Sequence, residues 1–311
     1  MPTPPAPHPP SPGDLLTRIS LGRGITRGGV TLIPIFLPEL DSPRVLTGDA
    51  APIEVAEMDS ASVPTIRVTN PGAVPVLLVE GETIRGGRQQ RTFNVSIVVP
   101  PNSTLEVPVS CVEAGRWSGG REFRKGGSFT PRTVRRNKQR GVREHVTRSG
   151  AKYSNQSDVW AGVDETLRSF NFESPTRNVA DADLFLERDD RLRRALQDLT
   201  ARGPLPGQCG VVVCHGKRVV AVELFGSPEL LRAQWTPLVR GVLLDVPDQV
   251  DGRPSLDRAL RFLERVQQAE RTVAPGVGLG EEHHLQSTRV QGQVLTWDST
   301  LLHASAFALA A

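Results

Sequence analysis

Carboxylate and guanidinium side chains concentrate in one short stretch of the sequence, residues 80–91. Glu80 and Glu82 stand two apart at the end of a predicted strand, so their side chains should share one face. Two carboxylates on one face can hold a divalent cation or act as a general acid–base pair with separated pKa values. We therefore predict catalytic roles for Glu80 and Glu82, with a divalent cation as the candidate cofactor.

Cationic and amide side chains follow these two glutamates in the same Gly-rich turn. Guanidinium groups and the backbone at Gly86 and Gly87 can receive a phosphate or a carboxylate. The predicted anion ligands in this turn are Arg85, Arg88, Gln89 and Arg91. The alternative is that the acids and arginines pair with one another in a solvent-exposed turn, as neighbouring charged residues commonly do.

A second candidate group follows the next predicted strand. Glu113 is predicted as a third catalytic carboxylate, and Arg116 and Trp117 as further contacts to the anionic ligand. An ordinary loop ion pair between Glu113 and Arg116 is the alternative. Cys111 has no histidine near it in the sequence, so we predict a core thiol there rather than a nucleophile.

The remaining cysteines and histidines do not have the spacing of a metal centre. Cys209 and Cys214 stand five apart on one predicted strand, which should turn them to opposite faces, and the adjacent pair His283 and His284 should diverge. No dedicated metal ligands are predicted. The chain also lacks a P-loop, GxGxxG, GxSxG or HExxH motif, which disfavours ordinary NTPases, Rossmann dehydrogenases, serine hydrolases and zincins.

Positive charge is concentrated in residues 116–148, which hold eleven Lys or Arg and two Glu, a balance of +9 in a chain whose net charge is +3. The Gly pairs in this region and its weak apolar periodicity predict a long loop over 116–152 with at most a short helix. Three interpretations stay open for it: a nucleic-acid arm in which Phe123, Phe129 and Tyr153 stack on bases, a lid over an anionic ligand, or an inert loop.

The apolar patterning predicts an α+β protein. The 29 Gly and 26 Pro among 311 residues argue against a helical bundle. Short strands separated by turn signals predict a β-rich half over 14–115, an antiparallel sandwich or barrel, and a change of period predicts helices and β-hairpins over 153–311. We expect the halves to pack as one domain, 14–311, behind a disordered Pro-rich leader, 1–13.

The sequence also allows a prediction of the protein's cellular compartment. No apolar run approaches the roughly 18 residues of a membrane span. The first residues lack the apolar region of a signal peptide, and three cysteines do not make an even disulfide framework. A cytoplasmic protein is therefore predicted.

Several short segments together resemble one bacterial family. They are 80–91 (EGETIRGGRQQR), 94–97 (NVSI), 108–113 (PVSCVE), 115–117 (GRW), 154–160 (SNQSDVW), 174–176 (SPT), 224–228 (LFGSP) and 303–307 (HASAF). In this order they resemble the ARG and rhodanese-phosphatase-superfamily-associated protein domain, a family without settled chemistry that is named for its neighbourhood with ADP-ribosylglycohydrolases. The resemblance implies a context in ADP-ribose and NAD metabolism.

These observations together predict a protein that binds or processes a phosphorylated, ADP-ribose-like small molecule in an anion-binding cleft. Whether it catalyses a reaction stays open. Two alternatives come from other functional classes: a non-catalytic nucleic-acid-binding protein that acts through 116–148, and a scaffold for partner proteins.

Overall fold

The computed structural model describes residues 18–38, 42–60, 62–171, 173–247 and 249–309. Within these ranges it contains 17 β-strands and six α-helices, which confirms the predicted α+β class and its β-rich character. The predicted leader, 1–13, lies outside the described residues.

The first half of the chain builds most of a closed barrel. Its strands are β1 (Ser20–Leu21), β2 (Ile25–Arg27), β3 (Val30–Phe36), β4 (Glu54–Glu57), β5 (Thr65–Asn70), β6 (Val76–Leu78), β7 (Glu82–Gly86), β8 (Arg91–Phe93), β9 (Ile97–Val99), β10 (Ser103–Cys111) and β11 (Glu122–Phe129). Six of them close in the order β10-β5-β4-β11-β7-β8, and β6 pairs with β9 alongside. Of the predicted sandwich or barrel, the barrel is therefore correct. Its interior is filled by apolar side chains such as Ile66, Ile84, Phe93 and Val107.

A nine-stranded antiparallel sheet occupies the second half. It contains β12 (Gln208–His215), β13 (Arg218–Phe225), β14 (Glu270–Pro275), β15 (Glu281–Gln286), β16 (Val290–Trp297) and β17 (Thr300–Ala308). The strand order is β1-β3-β12-β13-β17-β16-β15-β14, with β2 on β3. The first three strands of the chain therefore join the second-half sheet rather than the barrel. Strands β12 and β13 form one of the β-hairpins predicted for the second half, with Gly216 in its turn.

Six helices cover these sheets. They are α1 (Arg132–Ser149), α2 (Gln156–Ser169), α3 (Ala182–Arg188), α4 (Asp190–Arg202), α5 (Pro228–Leu243) and α6 (Leu256–Gln267). One face of the large sheet shares a core with α4 and α5, and α6 covers the other face through residues such as Phe262 and Leu263. Helix α1 contacts β16 of the large sheet, and its Val142 and Val146 pack in the core of the barrel, so it lies between the two.

The predicted loop over 116–152 is wrong, because the structure has β11 and the 18-residue helix α1 there. Helical periodicity is present in the buried residues Val134, Lys138, Val142 and Val146. Lys138 interrupts this buried stripe, and the neighbouring Arg135 and Gln139 are also buried. Because these buried side chains are polar, the apolar residues of α1 do not recur with a clear helical period in the sequence. Two glycines, Gly126 and Gly127, stand where the register between β11 and β7 shifts, so they mark a bulge rather than a loop.

The expectation that Cys209 and Cys214 face opposite sides of the sheet is also wrong. Both pack in the core beneath α6. The pairing of β12 shifts register near each end of the strand, and such a bulge reverses the side-chain alternation that a regular strand would give.

None of the helices among the described residues is both long enough and apolar enough to cross a membrane.

Candidate functional site

Glu80 lies in a buried ionic cluster with two cations of α1. Its carboxylate is 2.7 Å from the Arg135 guanidinium and 2.7 Å from Nζ of Lys138. Arg135 also contacts Glu223 of β13 at 2.5 Å, so one guanidinium bridges two carboxylates. All four side chains are almost completely enclosed, and their formal charges sum to zero.

Neutral polar groups complete this cluster. The Gln139 amide and the Ser305 hydroxyl each donate to Glu80 at 3.1 Å. The His303 ring stands between the second carboxylate and the barrel, with Nε2 3.3 Å from Glu223 and Nδ1 2.8 Å from the Ser96 hydroxyl. Buried charges are tolerated only when paired and hydrogen-bonded in this way.

The electrostatics of the cluster follow from burial and pairing. Desolvation opposes ionisation of Glu80, but the charges of Arg135 and Lys138 outweigh it and lower the pKa of Glu80 to about 2. For Lys138, desolvation exceeds the attraction of Glu80 and lowers its pKa to about 8. The cluster is almost completely buried. Its ion pairs join the loop before β7 to α1 and to the large sheet.

Three of the segments that carry the family resemblance meet in this cluster. Glu80 begins the 80–91 segment, His303 begins 303–307, and Ser96, whose hydroxyl contacts His303, lies in 94–97. Glu223 directly precedes a fourth segment, 224–228. Some of the residues that carry the family resemblance therefore lie where the barrel and the large sheet meet.

Glu82 does not share a site with Glu80. Gly81 lies between them with a φ of +88°, so the two glutamates are not alternate residues of one strand. Glu82 accepts hydrogen bonds from the Val79 backbone at 2.7 Å and from the Gln234 amide of α5 at 2.9 Å. Burial raises the pKa of Glu82. The neighbouring Arg85 pairs instead with Asp183 of α3.

The structure does bring together four of the other predicted site residues. Arg116 lies 2.8 Å from the Glu113 carboxylate, and the Gln89 amide donates to the Glu113 backbone at 2.8 Å. Arg91 donates to Gln89 at 2.9 Å and to the Cys111 sulfur at 2.8 Å. This corner contains the loop ion pair that the sequence offered as the alternative for Glu113 and Arg116.

Two predicted ligands lie at the edge of this corner. The backbone amide of Arg88 donates to Glu57 at 2.9 Å while its side chain is exposed. The Trp117 side chain is 58% exposed. The proposed roles of these residues in binding stay predictions.

Positive charge is also concentrated in a different part of the surface, a groove of about 730 Å³ between α1, the β12–β13 hairpin and α6. We call it the basic groove and define it by its eight cationic residues: Arg132, Arg136, Lys217, Arg218, Arg258, Arg261, Arg265 and Arg289. The other lining residues are apolar. No Asp or Glu of the described chain lines the groove, and none of the eight cations forms an ion pair with a described residue.

Regular elements position these cations. On α6, Arg258, Arg261 and Arg265 follow the i, i+3, i+7 spacing of one helix face. On α1, Arg132 and Arg136 stand one turn apart in the first turns. The α1 N-terminus is fixed by the half-buried Asp245, whose carboxylate accepts hydrogen bonds from the Arg132 and Thr133 backbone amides.

Two details describe the electrostatic surroundings of the α1 cations in the groove. Burial and the adjacent charge of Arg132 lower the pKa of Arg136, although Glu165 and Asp245 act in the opposite direction. The Nε atom of Arg132 is buried and has no hydrogen-bond partner among the described residues. An anion in the groove would relieve both conditions.

The sequence interpretation missed this groove. It assigned the positive charge to 116–148, yet that segment supplies only Arg132 and Arg136, and the other six cations come from residues 217–289. The arginine spacing of 258–265 was the available signal. Of the aromatic residues expected to stack on bases, Phe123 and Phe129 are buried in the protein, whereas Tyr153 is 41% exposed.

Among the described residues, no group of three or more His, Cys, Asp or Glu side chains is arranged to hold a metal ion. No curated protein and no solved structure matches this chain. The family model of the ARG and rhodanese-phosphatase-superfamily-associated protein domain matches residues 18–307. The chain therefore belongs to this family, which the resemblance of its short segments had indicated.

Proposed function

We propose that this protein binds a phosphorylated ligand in the basic groove. The small-molecule candidates are ADP-ribose and NAD-related molecules, which the sequence resemblance led us to expect. The proposal moves the anion site from the predicted cleft around Arg85, Arg91 and Arg116 to the groove between α1 and α6.

The observation that carries the proposal is the set of eight cations without a lining carboxylate. Arginine and lysine side chains on a protein surface commonly pair with nearby acids, as Arg140 does with Asp158. In the groove they lie among one another and apolar residues, so their mutual repulsion is reduced when an anion enters. Guanidinium groups bind phosphate oxygens through two parallel hydrogen bonds, which gives geometric selectivity as well as affinity.

The groove supports binding more than catalysis. Its lining contains no His, Cys, Ser, Thr, Asp or Glu among the described residues, so it offers no ordinary nucleophile or carboxylate base beside the ligand. The predicted catalytic residues Glu80, Glu82 and Glu113 each contact other protein groups away from the groove. We therefore propose a binding protein, with any reaction located elsewhere.

Calorimetric titration with pyrophosphate, ADP-ribose and NAD tests the proposal. We expect binding to the wild-type chain and at least tenfold weaker binding to the double variant Arg261→Ala/Arg265→Ala. The matched control is Arg193→Ala/Arg194→Ala, which removes two helix arginines that pair with Asp190 outside the groove. Equal binding by the two double variants, or no binding by the wild type, would overturn the proposal.

One further variant distinguishes binding in the basic groove from binding in the cleft that the sequence predicted. Arg116→Ala removes the guanidinium that pairs with Glu113. It should leave ligand affinity unchanged if the groove is the site. A loss of affinity in Arg116→Ala, with normal affinity in the α6 double variant, would instead place the ligand at the sequence-predicted cleft.

A further inference from the structure

A second cavity lies next to the basic groove, on the other side of the β12–β13 turn. It measures about 610 Å³ and is lined by five glycines, two arginines and several apolar and hydroxyl side chains. The glycines are Gly22, Gly24, Gly29, Gly216 and Gly252, and the arginines are Arg23 and Arg253. We call it the glycine-lined cavity. As in the groove, no Asp or Glu of the described chain lines it.

Only one turn of backbone separates the two depressions. Gly216 lines the cavity and the next residue, Lys217, lines the groove. Helix α6 passes from one to the other, since Leu256 lines the cavity and Arg258 lines the groove. Arg258 donates to the Lys217 backbone carbonyl at 2.8 Å, which holds the helix against the turn at this boundary.

Resting on the proposed function, we infer that the groove and the cavity together form a track for a single nucleic-acid strand. Ten cations line the two depressions, and neither Arg23 nor Arg253 forms an ion pair with a described residue. A diphosphate ligand carries far too little charge to satisfy them. A strand with one phosphate per nucleotide supplies negative charge along the whole track.

The dimensions of the groove and of the glycine-lined cavity favour a single strand over a double helix. The three α6 arginines extend over seven residues, about 10 Å along the helix axis at 1.5 Å per residue. Each depression has the volume of a small-molecule site, roughly 300–1,000 Å³, so it can take individual nucleotides but not the width of a double helix.

The chemistry of the track predicts binding through the backbone rather than the bases. Phe262 is the one aromatic residue in the described lining of either depression, and it is 3% exposed. Without an exposed ring there is no stacking platform, which removes the main source of base preference in single-strand binding.

Fluorescence anisotropy with labelled oligouridylates of two, four, eight and twelve nucleotides tests the inference, with ADP-ribose and pyrophosphate titrated in parallel. Affinity should rise with length until the track is filled and then level off. A plot of log K against log salt should be linear, with a slope of about −0.7 for each phosphate contact. Oligodeoxythymidylates of equal length should bind with similar affinity, because the cations of the track contact the phosphates, which RNA and DNA share.

Two pairs of variants distinguish this inference from the proposed function. Arg23→Ala/Arg253→Ala should weaken the eight-nucleotide ligand at least tenfold and leave pyrophosphate and ADP-ribose unchanged. Arg261→Ala/Arg265→Ala should weaken all of them, and Arg193→Ala/Arg194→Ala none. The arginines of the two test pairs are exposed, and a melting curve for each variant verifies that it is folded.

Each outcome points to a different conclusion. If ADP-ribose or pyrophosphate binds but long oligonucleotides bind no more tightly than the dinucleotide, the track is wrong and the phosphate site stands. If the cavity variant weakens the small ligands as much as the long ones, the two depressions form one small-molecule site and the inference also fails. A duplex that binds as tightly as the single strand would likewise overturn it. If no ligand binds, both proposals fail.

Discussion

Nη2 of Arg135 lies 2.7 Å from Oε2 of Glu80, where helix α1 meets the barrel, and both side chains are buried. The same guanidinium contacts Glu223 of the large sheet and stacks over the rings of Phe129 and Phe307. One arginine therefore ties three parts of the fold together. Because the ions are buried, the loss of any one leaves an uncompensated charge in a medium that solvates it poorly.

Glu80→Gln should strongly destabilise the protein. The substitution leaves Arg135 and Lys138 with Glu223 as their single anionic partner in the cluster, an excess of one buried positive charge. Breaking a buried ion pair in this way typically costs about 3–5 kcal/mol of unfolding free energy. Urea denaturation measures the loss. Glu122→Gln, an exposed carboxylate on β11, is the control and should change stability by less than about 0.5 kcal/mol.

Removing the matching cation should recover part of that loss. In Glu80→Gln/Lys138→Met the cluster is again neutral, because Arg135 and Glu223 remain as a pair. Its unfolding free energy should therefore lie above that of Glu80→Gln alone, and the double-mutant cycle should give a coupling of about 1–3 kcal/mol. An additive cycle would show that Glu80 and Lys138 do not act as a pair.

The parts of the fold and of the candidate site that the sequence could predict are those in which interacting residues lie close together along the chain. The strands around Ile66 and Val107 follow alternating patterns, and a barrel was one of the two predicted outcomes. The pairing of Glu113 with Arg116 is local too, and sequence spacing alone offered it as an alternative. By contrast, Glu80 meets Arg135 and Ser305, 55 and 225 positions away along the chain, and no sequence spacing encodes such contacts.

The basic groove was hidden for a related reason. A count of charges along the chain weights 116–148 most heavily, but that count ignores pairing. Several of its cations are used internally, including Arg116, Arg135 and Lys138. The groove is recognised only when unpaired cations from α1, the hairpin and α6 are seen side by side.

The three cysteines should be unreactive in the native protein. Desolvation raises the pKa of Cys111 to about 11 despite the neighbouring Arg91, and it raises the pKa of Cys214 to about 12. Burial shifts the pKa of Cys209 in the same direction. All three are free and buried, so little thiolate is available to an alkylating reagent at neutral pH.

Iodoacetamide labelling followed by intact-mass measurement checks this expectation. No label should be incorporated at pH 7.5 on the timescale in which free glutathione reacts fully, and three should be incorporated in guanidinium chloride. Rapid native labelling at Cys111 would restore it as a candidate nucleophile.

Gly241→Ala should destabilise the contact between α5 and β11. A Cβ atom at this position would lie 2.7 Å from Cβ and 2.8 Å from the carbonyl oxygen of Phe129. Alanine favours a helix over glycine by roughly 1 kcal/mol, but overpacking of a core contact costs about 1–3 kcal/mol, so the net effect should be a loss of stability. Gly120→Ala is the control, because a Cβ added there would have no atom within 4 Å. Thermal melting compares the two, and an unchanged or higher Tm in Gly241→Ala would contradict the packing argument.

His215 should make the protein less stable in mild acid. Burial and the charge of Arg132 lower the pKa of His215 to about 4, against an ordinary value near 6.5. Between about pH 6.5 and pH 4 the unfolded chain therefore binds a proton that the folded chain does not, and unfolding becomes more favourable as the pH falls. A shift of this size corresponds to about 3 kcal/mol over the interval.

Replacing the imidazole isolates this contribution. His215→Gln should lose stability less steeply between pH 6.5 and pH 4 than the wild type, although the amide will set a different stability at neutral pH. Asp245, whose pKa burial raises, lines the same small cavity and titrates in both proteins, so the comparison must rest on the difference between their curves. Urea denaturation at half-unit pH steps provides those curves. Parallel curves over this interval would show that His215 is not held neutral in the folded state.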